Sequence, residues 1–313
     1  MRAAVVEQYG GPEVVRIHTV PDPEVKAMQV LVRVHASAVT SADARIRVAR
    51  FPRGFGVLGR LAFGVRGPRR GVLGGVYSGV VEQTGSGVTT LSVGDEVCGM
   101  NGMALGTHAE LVVVKAKKAV PKPASVSHAD AAGILFGGTT AVHFLRDRVH
   151  PGTRVLVNGA SGAIGTAAVQ LAVRAGGRVT GVCGPTNAEL VRRLGATAVV
   201  DHTRESVVDS SERYDLVLDA VGTISLKDGR RLLAPGGTLL LAVADLGDTV
   251  RARGNAFAGP APDRPADMAA LLGLVATGEL DVVIDRTVTL DEIVEAHRVV
   301  DSGRKVGSIV VLP

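Results

Sequence analysis

The sequence of 313 residues holds only two cysteines, Cys98 and Cys183, far apart and in no CxxC pairing. A disulfide framework and a thiolate zinc site are therefore both unindicated, and two buried or half-buried thiols are the simpler reading. There is no tryptophan, and aromatics make up 3% of the chain, so no aromatic and basic platform for single-stranded nucleic acid can be assembled. No apolar run approaches the roughly 20 residues that cross a bilayer, and MRAAVVEQYG has too short an apolar core for a secretory signal. A cytoplasmic protein is expected, with neither a membrane nor a nucleic acid as partner.

What is present is a hydrophobic fraction of 46% against 21% charged residues, which is that of a folded globular protein. The length accommodates two domains. The net charge of +5 is dispersed except around Arg45 to Arg70, where glycine and arginine concentrate. That segment reads as a loop, or a short helix and loop over a cleft, with its charge on a solvated face.

The stretch from Thr153 to Gly176, TRVLVNGASGAIGTAAVQLAVRAG, organises the rest. Arg154 to Asn158 is a short β-branched apolar run of the kind that forms a buried parallel strand. Gly159, Gly162 and Gly165 follow at a spacing of three, and Ala167, Leu171 and Ala172 then share a helical face. A turn without β-carbons lets backbone approach a pyrophosphate, and the free N–H groups of a helix start favour an anion. A glycine triplet alone also serves tight turns. Here a strand precedes it and a second strand, Arg178 to Cys183, follows the helix, as a dinucleotide-binding βαβ unit requires. Ser161, Gly162, Ala163 and Ile164 are the expected cofactor contacts of that turn.

Before this unit the chain reads as short strands punctuated by Gly, Pro and Asp, from AAVVEQYG to AELVVVKAKKAV, which closes into a partly open barrel. After it, strands near 178–183, 198–201, 214–220 and 237–243 alternate with helices, giving a parallel sheet. Residues 246–266 read as a mobile loop, followed by a helix over 266–277, a strand over 282–289, an amphipathic helix over 290–301 and a final strand.

Several segments then resemble, in order and spacing, the medium-chain dehydrogenase/reductases: the glycine stretch, AAGILFGGTTAVHFL, YDLVLDAVG, LLAPGGTLLLAVA and EAHRVVDSGRKVGSIVV. The nearest likeness is to the zinc-free quinone oxidoreductase-like branch. The resemblance implies an α/β fold, a GroES-like partly open β-barrel domain plus a Rossmann doubly wound parallel-sheet domain, with the active site in the cleft between them. Boundaries are expected at 1–122 for the first part of the GroES-like domain, 123–264 for the Rossmann domain and 265–313 for the return of the chain.

Zinc-dependent members of that family carry Gly-His-Glu where this chain has Gly74, Gly75 and Val76, and a cysteine where it has Phe136. No metal is expected. The cofactor choice turns on the end of the second strand, which reads Val182, Cys183, Gly184, Pro185, Thr186, Asn187 with no carboxylate before Glu189. An acid there would hold the ribose hydroxyls of NADH and repel a 2′-phosphate, so NADPH is favoured over NADH. Gly184, Thr186, Asn187 and His202, with Arg204 nearby, are the candidates to hold that phosphate, although each is also an ordinary turn or surface residue.

By resemblance Thr140 lies against the nicotinamide, and Val221, Val243 and Ala244 meet its ribose and amide from the strand ends. The family's VNPxD segment becomes Val39, Thr40, Ser41, Ala42, Asp43, which makes Thr40 a candidate substrate contact and Asp43 a structural partner. Tyr77 is a candidate proton donor or oxyanion partner, against packing as the alternative. The expected activity is NADPH-dependent, metal-free hydride transfer to a quinone or an α,β-unsaturated carbonyl. The alternatives are a zinc-free alcohol or aldehyde oxidoreductase, and a nucleotide-binding redox sensor with little turnover. The family's habit of pairing sheets edge to edge implies a homodimer, with GTLLLAVA as the edge.

Overall fold

The computed structural model describes residues 1–313. In chain order the strands and helices are β1 (Arg2–Val6), β2 (Val15–Thr19), β3 (Gln29–Val39), α1 (Ser41–Val48), α2 (Gly56–Phe63), β4 (Val76–Thr84), β5 (Glu96–Met100), β6 (Leu111–Lys115), β7 (Ala119–Pro121) and α3 (His128–Leu145). Next come β8 (Arg154–Asn158), α4 (Ala163–Arg174), β9 (Arg178–Cys183), α5 (Ala188–Arg193), β10 (Ala198–Asp201), β11 (Tyr214–Asp219), α6 (Leu226–Arg231), β12 (Leu233–Leu241), α7 (Leu246–Arg251) and β13 (Ala256–Ala258). The chain ends with α8 (Pro265–Ala276), β14 (Ile284–Thr289), α9 (Ile293–Asp301) and β15 (Ser308–Leu312).

Two compact units form. One comprises Met1–Phe51, Gly56–Phe136 and Asp263–Pro313; the other comprises Pro52–Phe55 and Gly137–Pro262. Where sequence places a boundary after residue 122, the division falls inside α3, because that helix runs without interruption past Phe136.

The first unit is built on a seven-stranded sheet with the order β14-β15-β3-β4-β5-β7, and β6 paired to β3. The long β3 pairs with β4, β6 and β15, so one strand ties both ends of the chain to the same sheet. Its interior is a cluster of valines from β3, β4, β5 and β6. In the arginine-rich segment it is the short helix and loop that holds: α1 and α2 are joined and followed by irregular chain. One of its arginines is not solvated: Arg47 has no exposed surface. Its guanidinium donates to the Gly10 carbonyl (2.5 Å), to the Asp301 carboxylate (2.5 Å) and, from Nε, to His297 Nδ1 (3.4 Å).

His297 is itself fully buried, and its Nε2 has no partner. Burial, then the nearby His108 and Arg47, hold its imidazole well below the ordinary histidine range. Unfolding lets this imidazole take a proton that the folded state denies it. Its contribution to stability is therefore complete above about pH 6.5 and declines as pH falls below, by up to about 1.4 kcal/mol per pH unit. The urea midpoint is expected to depend less steeply on pH between about 6.5 and 5 in His297→Leu than in the wild type; an unchanged slope would remove His297 from the acid response.

The second unit is a six-stranded sheet, all parallel, with the order β10-β9-β8-β11-β12-β13. In order of appearance this is 3-2-1-4-5-6, the doubly wound arrangement, and its switch point lies between β8 and β11. The central strands are buried on both faces, as their continuous apolar runs require. Two expectations are corrected here. The segment 246–266 is not a plain loop, since Asp245 caps α7 and β13 then adds to the sheet. In consequence GTLLLAVA is not an edge, because β12 is paired on its outer side by β13.

Candidate active site

The C-terminal ends of the parallel strands gather most of the expected cofactor residues. After β8 the chain turns sharply at Gly159, with φ +80°, and enters α4 at Gly162. Four other helices, α1, α3, α6 and α7, begin with a side chain that accepts from the backbone: Thr40, Ser127, Ser225 and Asp245. Gly162 supplies no such cap to the 12-residue α4. The amides that open this helix are thus left for an anion, with the helix dipole behind them.

Glycine is required here by close approach as well. A β-carbon on Gly165 would stand 2.1 Å from the Gly159 carbonyl oxygen, and one on Gly137 would stand 2.1 Å from the Ala163 oxygen. A β-carbon on Gly162 would meet only the Gly159 oxygen, at 3.5 Å, which leaves its outer side open. The backbone of α3 therefore packs directly on the glycine turn. Thr140, one turn beyond Gly137 on the same helical face, is half-buried on that side of α3. A bare turn, an uncapped helix start and an open approach fit a pyrophosphate.

The residues at the ends of β9 and β10 join this turn. Asn187 Nδ2 donates to Ser161 Oγ (3.2 Å), and His202 Nε2 lies 3.7 Å from where a Gly184 β-carbon would be. Thr186 and His202 are exposed. Asp201, which pairs with Cys183 in register, accepts from the Thr203 amide (2.9 Å) and hydroxyl (2.7 Å). Those bonds hold its carboxyl below the usual range and turn it into its own turn.

On the other side of the switch point the organiser is Asp219, a fully buried carboxylate that the candidate residues do not include. Its Oδ1 accepts from Asn158 Nδ2 (2.9 Å), Val221 N (3.0 Å) and Gly222 N (3.0 Å), and its Oδ2 from Ile224 N (2.9 Å). The acid at the end of an apolar strand in YDLVLDAVG was the available signal. This network carries Val221 to the glycine turn, with its Cγ2 2.4 Å from a Gly159 β-carbon position, and Val243 lies against Gly222. Ala244 follows at the end of β12, and an open pocket of about 580 Å³ begins beside it, lined by Arg53, Asp245, Leu246, Asp248 and Arg251.

The remaining two candidates, Thr40 and Tyr77, belong to the first unit. Thr40 is the N-cap of α1: its hydroxyl donates to Asp43 Oδ2 (2.6 Å) and accepts from the Asp43 amide (3.3 Å). Asp43 also accepts from Gly74 N (3.1 Å), so it is a structural partner. Tyr77 is fully buried within the valine cluster of the barrel. Burial first, and then Cys98, push its phenol far above the ordinary tyrosine range, and its hydroxyl has no partner. These surroundings are those of a packing tyrosine, the alternative expected for it.

Comparison with known proteins gives two family matches, the second of which runs across the boundary between the units at residue 262. Residues 26–124 match the alcohol dehydrogenase GroES-like domain family, and residues 194–311 match the family described as zinc-binding dehydrogenase. A mitochondrial NAD(P)H oxidoreductase of Mus musculus is 31% identical over 99% of this chain and 89% of its own length. The chain belongs to the medium-chain dehydrogenase/reductase superfamily, in its quinone oxidoreductase-like branch. The NADPH-dependent alkenal/one oxidoreductase of Arabidopsis thaliana chloroplasts is 32% identical over 76% of this chain, but the match spans only 63% of that protein. The quinone oxidoreductase from Coxiella burnetii superposes with a TM-score of 0.89 at 27% identity, covering 100% of this chain and 99% of the other. Despite the description of the second family, no group of three or more His, Cys, Asp or Glu side chains converges as metal ligands. No helix is long and apolar enough to cross a membrane.

Proposed function

We propose that this protein is an NADPH-dependent, metal-free oxidoreductase that passes hydride to a quinone or an α,β-unsaturated carbonyl. The observation that carries the reading is the uncapped start of α4 at the switch point, with Gly162 open to an approaching pyrophosphate. When bound, the nicotinamide supplies the hydride. The chain's own work is to hold and orient. The opening amides of α4, with Ser161, Ala163 and Ile164, bind the pyrophosphate. Gly184, Thr186, Asn187 and His202 receive the 2′-phosphate, supported by the absence of a carboxylate at the end of β9 and by the internal use of Asp201. Val221, Val243 and Ala244 orient the ring from the ends of β11 and β12, and Thr140 meets it from α3.

The kind of acceptor is supported by the activities for which the relatives are named: an alkenal/one oxidoreductase and quinone oxidoreductases. Hydrogen bonds, not a Lewis acid, polarise its carbonyl, because Gly74, Gly75, Val76 and Phe136 offer no ligand side chain where zinc-dependent relatives have theirs. The test is a titration with NADPH and NADH separately, followed by loss of nicotinamide absorbance with 1,4-quinones and simple enones. Expected are at least about tenfold tighter binding of NADPH, equivalent to about 1.4 kcal/mol, and acceptor-dependent oxidation that EDTA leaves unchanged. Equal or better binding of NADH would overturn the role of Gly184 to Asn187. Tight binding with no turnover across the panel would overturn the catalytic reading in favour of a nucleotide sensor.

A further inference from the structure

From Ala44 to Val81 the chain has no Asp or Glu and no lysine, yet eight arginines. In the middle of that stretch α2 is built with its apolar side outward. Val57, Leu58 and Leu61 are 73%, 54% and 58% exposed, and Val65, just beyond the helix, is 61% exposed. At about 100° per residue, Val57, Leu61, Leu58 and Ala62 occupy a contiguous face of about 140°. The opposite side attaches the helix to the first unit. Gly59 sits where a β-carbon would be 2.3 Å from the Phe51 ring, and Phe63 stacks on Phe51 with centroids 5.6 Å apart.

This is a framed surface and not a loose loop. Tyr9 donates its hydroxyl to the Gly64 carbonyl (2.6 Å), Arg60 donates to the Val65 carbonyl (3.0 Å), and Gly67 packs against the backbone of Glu7. Arg60, Arg66, Arg69 and Arg70 are all exposed around the apolar face, and no carboxylate lies near them in the chain.

An aliphatic face rimmed by charge of one sign selects its partner. A second copy of the same surface would bring an arginine-rich rim with no carboxylate in its own stretch of chain to both sides, so no charge pairing within the contact would offset the repulsion. Nucleic acid would find the charge but no exposed aromatic ring to stack on, since Phe51 and Phe63 face each other. An anionic bilayer surface satisfies both features at once, because its headgroups pair with the arginines and its acyl boundary takes the valines and leucines. We infer that α2 and the loop following it, residues 56–70, form a peripheral docking surface for anionic lipid membranes, with Leu58 and Leu61 entering the acyl boundary and Arg60, Arg66, Arg69 and Arg70 contacting the headgroups. The inference is independent of the hydride-transfer reading, and it replaces the expectation that this segment is a merely solvated basic face.

The chain has no tryptophan, so a single one introduced at position 61 reports only on this surface. Full-length protein without nucleotide is mixed with vesicles of phosphatidylglycerol and phosphatidylcholine, or of phosphatidylcholine alone, and centrifuged. Co-sedimentation is expected with the anionic vesicles, weakened at least about fivefold between about 0.05 and 0.5 M NaCl as the charges are screened. Leu58→Asp/Leu61→Asp is expected to lower it at least about tenfold. The fluorescence of Leu61→Trp is expected to shift to shorter wavelength on anionic vesicles. Because the substituted side chains are exposed, unchanged melting temperatures confirm that the variants fold. The inference is overturned if wild type fails to sediment with anionic vesicles at low salt, or if the double aspartate variant binds them equally well. It is also overturned if the Leu61→Trp emission stays fixed. A concentration-dependent self-association that the double aspartate variant abolishes, with no vesicle binding, would assign the face to a second copy instead.

Discussion

Asp219→Ala is expected to lower the unfolding free energy by about 3–5 kcal/mol, measured by urea titration, and to weaken NADPH binding by at least about tenfold. The carboxylate is fully buried at the end of β11, and four donors depend on it: Asn158 Nδ2 and the amides of Val221, Gly222 and Ile224. Removing it strands the three amides and leaves Asn158 Nδ2 only its bond to Thr223 Oγ1 (2.8 Å). Val221 and Gly222 are exposed and can turn to water, whereas Asn158 and Ile224 are buried and cannot do so without moving. That partial rescue is why the cost is not four full desolvation penalties. The loop that water loosens carries Val221, which packs on the glycine turn, so cofactor affinity falls together with stability. Asp215, four residues earlier, is the control: its carboxylate is half-exposed and paired with Arg154 at 2.9 Å. Asp215→Ala is expected to cost less than about 1 kcal/mol and to leave NADPH binding unchanged. If Asp219→Ala behaved like Asp215→Ala, the organising role assigned to the β11 end would be wrong.

The contrast between these two aspartates shows where the sequence was legible. The strands expected between Thr153 and Val243 fall within a few residues of those observed, because each parallel strand is a short apolar run bounded by turn formers, and burial on both faces forces that pattern. Short elements were less legible. The helix α7 and the strand β13 hold six and three residues, among glycines, prolines and arginines, too few for any period to emerge. Missing β13 also misplaced the sheet edge.

Roles that depend on distant partners were not legible at all. Arg47 lies in a run of arginines that local charge reads as solvated, and only the return of the chain in α9 brings Asp301 and His297 to it. Tyr77 lies where burial along β4 runs unbroken from Val76 to Gly79, so no alternation marks its face. Thr40 had a readable local signal: an Asp three residues on is the spacing of a reciprocal helix cap, and the structure uses both as one.

Gly165→Val is expected to abolish measurable NADPH binding and to destabilise the fold by about 3 kcal/mol or more, read from thermal and urea unfolding. The first carbon added would stand 2.1 Å from the Gly159 oxygen and 2.6 Å from the Ala160 α-carbon. Both are backbone atoms of the turn itself, so no side chain can swing aside to relieve the clash. The turn and the start of α4 must separate, and with them the amides that face the pyrophosphate. Gly162→Ala isolates the ligand's part of that loss. Its φ of −81° suits any residue, and its β-carbon would meet protein only at 3.5 Å, so the free protein is expected to stay within about 1 kcal/mol of wild type. The methyl group would instead occupy the side from which the pyrophosphate approaches, and NADPH binding is expected to weaken at least about tenfold with stability unchanged. Wild-type affinity in Gly162→Ala would mean that this glycine serves only the turn. The bare start of α4 would then no longer support a nucleotide site, and the proposed hydride transfer would lose the observation that carries it.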